Sequence, residues 1–304
     1  MNTNLFLKKN FYLLNFFKIR KVFFIFFFIL VFLSLLVIIN KKLTFGIDFT
    51  GGIFLEIYSE SDFNHKNIKK ILEKEFPIKN ISTFKNNTMT ISIIEKNLQN
   101  KQKISQKILK KIKSIENKNF YIKKNEYIGP LIGKNSLNRS ILAIIFSIFS
   151  VFFYIYVRFE LKTAISILYS LLNNITIILG IFAFFKIPID INTISSFMVI
   201  VGYSLNDNII VSDRIRENFK FYKNCNSKNF IVSIKQVSKR TILTSLTTVF
   251  TLMILIIFGS FFLRKFSFLL IFGIFIGTVN SIYVIPFILY KLKLKKQDFK
   301  KKFL

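Results

Sequence analysis

The chain has 304 residues, 52% hydrophobic and 17% aromatic, and its 45 Lys+Arg against 15 Asp+Glu give a formal charge of +30. So apolar a composition excludes a disordered chain, and apolar residues gathered in long blocks exclude an ordinary soluble domain. A single cysteine, Cys225, and a single histidine, His65, exclude an internal disulfide, a Cys-rich metal site and a multi-His zinc site.

What remains is a polytopic α-helical membrane protein with one sizeable soluble insert. Lysine supplies most of the cations, phenylalanine occurs 40 times, and alanine is nearly absent, a drift toward residues with A/T-rich codons. The positive charge therefore reads as compositional bias plus anchoring of membrane helices to lipid, with no nucleic acid partner.

Residues 1–21 form a basic N-terminal segment with Lys8, Lys9, Lys18, Arg20 and Lys21. Residues 22–39 are the first span, since a hydrocarbon core takes roughly 20 apolar residues as a helix. The run is too long for a signal-peptide core, and Asn40-Lys41-Lys42 follows in place of a small-residue cleavage site, so the helix is expected to stay attached.

Residues 40–139 read as a folded insert. Ile53–Tyr58 alternates and predicts a strand. Asn64 opens a helix at about 65–76 with Ile68, Ile71 and Leu72 on one face, and Pro77 stops it. Ile78–Phe84 and Thr88–Ile94 are strands joined through Lys85-Asn86-Asn87 as a hairpin. A Lys-rich helix over 99–116 carries the stripe Ile104, Ile108, Ile112 and Ile115, and Phe120–Ile128 is the last strand. The order βαββαβ predicts a small α+β, ferredoxin-like domain. His65 has no second ligand nearby and reads as an exposed polar residue.

Two glycine joints flank this insert. One is Gly46-Ile47-Asp48-Phe49-Thr50-Gly51-Gly52, and the other is Gly129-Pro130-Leu131-Ile132-Gly133. Such joints serve as hinges or as plain structural turns, and the sequence leaves both readings open.

Five further spans follow at 140–157, 163–185, 191–211, 241–258 and 266–289. Lys and Arg concentrate in residues 1–21, at Arg158 and Lys162, in the loop 212–240 and in the tail 290–304, whereas the opposite short loops carry only Lys186, Arg264 and Lys265, the long basic insert being exempt from the rule. Six transmembrane helices with both termini cytosolic are therefore predicted, and the insert lies outside. In the loop, Phe230, Ile231, Ile234 and Val237 face one way and predict a segment lying along the membrane surface. Cys225 there reads as an incidental thiol.

Charge inside a span costs at least about 2.5–3.5 kcal/mol, so an intramembrane carboxyl group marks a functional candidate. Asp207 sits about a turn inside the cytosolic edge of span four, with Asn206 beside it. Arg240 opens span five and is expected at a similar depth. A carboxylate beside a guanidinium holds its charge, whereas one left alone in a low dielectric takes up a proton. Motion of the arginine toward and away from the acid would load and unload a proton, and a static ion pair would glue two helices. Both roles fit the residues.

Arg240, Thr244, Thr248 and Thr251 recur at helical spacing on span five, and Ser166, Ser170, Asn173 and Asn174 share a face of span three. They border a water path or serve as interhelical hydrogen bonds. Gly273-x-x-x-Gly277-x-x-x-Ser281 is a packing seam. No Walker A, G-x-S-x-G or H-E-x-x-H motif is present. No catalytic residues, metal or cofactor are expected, and the chain reads as no enzyme, with a proton as the candidate ion at Asp207.

Two stretches carry a resemblance. The first joint, Gly46 to Gly52, resembles a signature of the SecD/SecF translocase family, and Val201-Gly202-Tyr203-Ser204-Leu205-Asn206-Asp207-Asn208 through Asn218 is similar to the span-four signature of its SecF branch. Tyr127-Ile128-Gly129-Pro130 and Ser281-Ile282-Tyr283-Val284 fit the same branch. The resemblance implies a half of a proton-driven, RND-type unit, paired with SecD, in a bacterial inner membrane, with the insert periplasmic. It implies work alongside the SecYEG channel, YajC and, indirectly, SecA, on unfolded preproteins late in translocation. Position by position, the family's membrane acid falls on Asp207 and its arginine on Arg240. One departure concerns span three, where many members carry His-Asp and this chain has Asn173-Asn174 ahead of Gly180. Asparagine does not titrate, so a relay needing both acids would fail and one needing only Asp207 would survive. A translocon scaffold that moves no protons is the alternative, and an RND-type small-molecule exporter is disfavoured by the single small insert.

Overall fold

In the computed structural model, residues 3–61, 63–84, 87–93, 101–116, 118–221, 227–294 and 298 are described. Cys225 and the first two hairpin residues, Lys85 and Asn86, lie outside them. The chain divides into two units, residues 44–143 with 188–191, and residues 1–43, 144–187 and 192–304.

The first unit contains a one-turn helix α2 (Ile47–Thr50), following α1 (Thr3–Lys41) of the other unit. Then come β1 (Gly52–Ser59), α3 (His65–Glu75), β2 (Ile78–Phe84), β3 (Thr88–Ile93), α4 (Lys101–Ile115) and β4 (Phe120–Ile128). The four strands pair antiparallel in the order β2-β3-β1-β4. Asn64 caps α3 by accepting from the Asn67 amide, as its place before the periodic run requires. The core is Ile53, Leu55 and Ile57 of β1 and Met89, Ile91 and Ile93 of β3, covered by Ile68, Leu72, Ile108 and Ile112 from the two helices. These are the stripes the sequence periodicity marks, each such side chain contributing about 1.5–3 kcal/mol on burial.

The second unit holds most of the long helices, with residues 130–143 of the helix Pro130–Arg158 falling in the first. Among the described residues, six stretches are long and apolar enough to cross a membrane, namely Lys18–Lys41, Pro130–Arg158, Leu161–Phe185, Ile191–Phe221, Asn229–Phe258 and Phe262–Lys291. They lie in α1, α5 (Pro130–Arg158), α6 (Leu161–Phe185), α7 (Ile191–Phe221), α8 (Ser227–Phe258) and a last span. That last span joins α9 (Phe261–Val279) to α10 (Ile285–Lys291) through one π-helical turn, Asn280–Val284. Pro286 has no amide to donate and its ring displaces the preceding carbonyl, and the wider turn accommodates both.

Short links between consecutive spans make neighbours antiparallel. The link 159–160, the end of α7 at Phe221 and the start of α8 at Ser227 therefore share one end of the bundle, here the basic end. A core of Ile155, Phe159, Ile167, Val211, Ile215, Phe219, Phe230 and Leu289 gathers there.

Residues 227–240 differ from expectation. They do not form a surface-lying segment but are the first turns of α8, continuous with span five. Phe230, Ile234 and Val237 are buried, and the Phe230 ring meets Phe219 edge-on at 4.8 Å between centroids. The apolar stripe read as a lipid-facing surface packs on the extended end of α7 instead. An ion pair missed in the sequence closes the same end: Arg216 Nε lies 3.1 Å from Glu160 Oε1, with both side chains largely buried.

Candidate functional site

Span four, α7, is polar along one face because Ser204, Asp207, Asn208 and Ser212 recur at helical spacing, and all four are buried. Asp207 is only 7% exposed. Its Oδ2 accepts a 3.0 Å hydrogen bond from Thr278 Oγ1 on α9 and a longer one, 3.5 Å, from Ser245 Oγ on α8. The two hydroxyl oxygens are themselves 2.7 Å apart. Each also lies 2.9 Å from a carbonyl of its own helix, Thr278 from Ile274 O and Ser245 from Thr241 O.

A hydroxyl has one proton and two lone pairs. With Asp207 ionised, Thr278 and Ser245 donate to it. With Asp207 protonated, they turn to Ile274 O and Thr241 O, and one of them accepts the single proton of the acid. The site is thus built to satisfy the carboxyl group in either protonation state without an orphaned donor.

Close approach makes this geometry. A Cβ at Gly277 would fall on Ser204 Oγ and lie 3.1 Å from Asn174 Nδ2, so only glycine lets the last span come near enough for Thr278, the next residue, to reach Asp207. The small-residue seam therefore bears on the polar site directly. Asn174 Nδ2 donates to Ser204 Oγ at 2.5 Å and to Gly273 O at 3.1 Å, so one amide joins α6, α7 and α9. Asn173 is also buried, and Ser170 Oγ donates to Asn208 Oδ1 at 3.3 Å.

The span-five stripe sits differently. Arg240 is exposed, and among the described residues no ion pair joins it to Asp207. The expected equality of depth is corrected: Ser245 stands opposite Asp207, and Arg240 is five residues, about 7.5 Å, nearer the basic end. Thr244 is exposed and Thr248 half-buried, and their hydroxyls donate back to carbonyls of α8. Asn206 is exposed. Ser245 and Thr278, which the sequence reading missed, lie beside the residues it marked, one position along from Thr244 and from Gly277. The available signal was Thr241 and Ser245 at i, i+4, a second polar face on span five.

The first glycine joint forms its own arrangement within the 44–143 and 188–191 unit. Asp48 Oδ2 accepts from the Ile191 amide at 3.1 Å, occupying an N–H at the start of α7 that has no partner within the helix. Gly46 N donates to Ile189 O at 2.6 Å and Ile189 N to Thr44 O at 2.8 Å. Gly51 and Gly52 take φ of 74° and 133°, and a side chain at Gly52 would fall on Ile93 O. Pro130 stands at the first position of α5, next to Gly129, where its missing amide costs nothing. Near the joint, Lys79 Nζ donates to Thr50 Oγ1 at 2.6 Å, and burial lowers the Lys79 pKa.

The comparisons with known proteins agree with one another. Residues 107–295 match the family model described as protein export membrane protein SecD/SecF, C-terminal. The chain is 33% identical over 261 residues to the protein translocase subunit SecF of Escherichia coli O157:H7, covering 84% of this chain and 81% of that one. It is 32% identical over 275 residues to the same subunit of Rickettsia rickettsii, covering 89% of each. The crystal structure of SecDF from Thermus thermophilus, described as a translocon-associated membrane protein, superposes with a TM-score of 0.81 at 27% identity over 92% of this chain. This chain spans 38% of that structure's length.

Proposed function

The chain belongs to the SecD/SecF family of protein export membrane proteins, and on that premise we propose that this Sec translocase subunit couples inward proton flow to late preprotein movement. In this reading it pairs with a SecD subunit into an RND-type unit and serves the SecYEG channel, with YajC and SecA as further partners. The insert is ferredoxin-like, a reading supported by its βαββαβ order and its antiparallel sheet, and in this proposal it is periplasmic. The basic end is cytosolic and the membrane is the bacterial inner membrane, as the distribution of Lys and Arg supports.

The observation that carries the proposal is the double partnering of the two hydroxyls at Asp207. A carboxyl group in a fixed ion pair needs no such provision, whereas one that gains and loses a proton does. Arg240, exposed and a turn and a half away, acts as the movable charge, and its approach favours release of the proton. Asn174 serves as a hydrogen-bonding spacer in place of a second acid, so Asp207 carries the proton alone.

The scaffold reading has one observation in its favour, the bridging of three helices by the Asn174 amide. Preprotein translocation into inverted membrane vesicles separates the two. A proton-driven subunit makes the late phase depend on the proton gradient and on Asp207. Equal export by wild type and Asp207→Asn under a gradient would leave the scaffold.

A further inference from the structure

A cleft of about 800 Å³ runs between α1, α8 and the last span, inside the range of roughly 300–1,000 Å³ typical of ligand cavities. Arg20, Lys235 and Tyr283 line the part of the cleft nearest the basic end, with Lys235 exposed and Arg20 buried, its guanidinium 5.5 Å from the centroid of the Tyr283 ring. Its walls are Ile242, Leu246, Val249, Phe272 and Phe275, and no acidic side chain lines it among the described residues. Its inner wall includes Ser245 and Thr278, the hydroxyls that hold Asp207.

The geometry points to an anionic phospholipid as the occupant, its phosphate on Arg20 and Lys235 and one acyl chain along the apolar walls. Length decides between candidates. From Lys235 to Val249 is 14 residues, about 21 Å of helix. One leaflet, half of about 40–45 Å with its headgroups, is the same length. A partner helix would need a groove across the whole bilayer. A water path would need polar walls along its length.

The charge agrees with the length: two cations meet an apolar slot at one end, and Lys18, Lys21 and Lys239 stand exposed nearby. Basic pockets between membrane helices on the cytoplasmic side bind anionic headgroups. The assignment of that side rests on the orientation proposed above. The bound chain lies against Ser245 and Thr278 and keeps water from the Asp207 carboxyl group on this side.

The test uses the full chain co-purified with its SecD partner and native mass spectrometry after exchange into phosphatidylglycerol or phosphatidylcholine. Wild type is expected to retain one phosphatidylglycerol in preference to phosphatidylcholine. Lys235→Ala, at an exposed position, is expected to cut that preference about five-fold. Val249→Trp, which fills the inner end, is expected to lower retention of both lipids. A photo-crosslinker in place of Leu246 is expected to gain the mass of one phospholipid. Equal retention of the two lipids by wild type, or a Leu246 adduct to a second polypeptide, would overturn the assignment. Proton flux is read on the same samples. Lipid retention without flux leaves the site and removes the motor, and flux without retention does the reverse.

Discussion

Gly277 offers a sharp test of the packing that builds the site. In a helix interior Gly→Ala is ordinarily stabilising by about 0.4–1 kcal/mol. At Gly277 the added methyl overlaps Ser204 Oγ and crowds Asn174 Nδ2 at 3.1 Å. Overpacking of that kind costs about 1–3 kcal/mol, and displaced hydrogen bonds between membrane helices cost about 0.6–2 kcal/mol each. The clash therefore wins, and Gly277→Ala should destabilise the purified chain by about 1–3 kcal/mol.

Gly202 on α7 is the internal control, since nothing lies within 4 Å of where its Cβ would stand. Gly202→Ala should be neutral or stabilising. Removing the obstacle with Ser204→Gly should rescue Gly277→Ala, with a coupling of at least about 1 kcal/mol in the double-mutant cycle. Reversible unfolding of the isolated chain in detergent and denaturant measures wild type and all four variants. Equal effects of alanine at Gly277 and Gly202, or strict additivity with Ser204→Gly, would refute the close-approach argument.

Removing one side of the buried Glu160–Arg216 pair with Glu160→Ala should cost about 3–5 kcal/mol, whereas Glu217→Ala, which breaks the exposed pair to Arg214, should cost under about 1 kcal/mol; the same unfolding assay ranks them. Asp48→Ala should weaken the start of α7 by about 0.5–2 kcal/mol, seen as faster hydrogen exchange of the Ile191 amide, and protection as in wild type would remove the capping role. Thr278→Val keeps the shape and deletes the shorter bond to Asp207, so proton flux should fall about tenfold or more, while Ser245→Ala, at 3.5 Å, should lower it less; the reverse order would contradict the geometry.

The six apolar blocks and the order of elements in the insert were legible because burial in lipid and burial in a sheet leave long, periodic signatures. The extent of α8 was not. The stripe Phe230, Ile234 and Val237 has the same period whether it meets lipid or the neighbouring Phe219, and sequence alone does not name the partner. Asp207 stood out because a charge in an apolar run is costly. Its hydroxyl partners did not, since a lone Ser or Thr in a span also satisfies its own helix carbonyl, as Thr244 and Thr248 do. The π turn at Asn280–Val284 was hidden as well, although Pro286 just beyond it was the local cue.

The most direct test of the central claim is proton flux into vesicles holding this chain with its SecD partner, wild type against Asp207→Asn. Flux in wild type and none in the variant is expected, with both complexes assembled, Asp207 carrying the proton without a second acid in span three. Flux of the same size in both, or none in either, would contradict it.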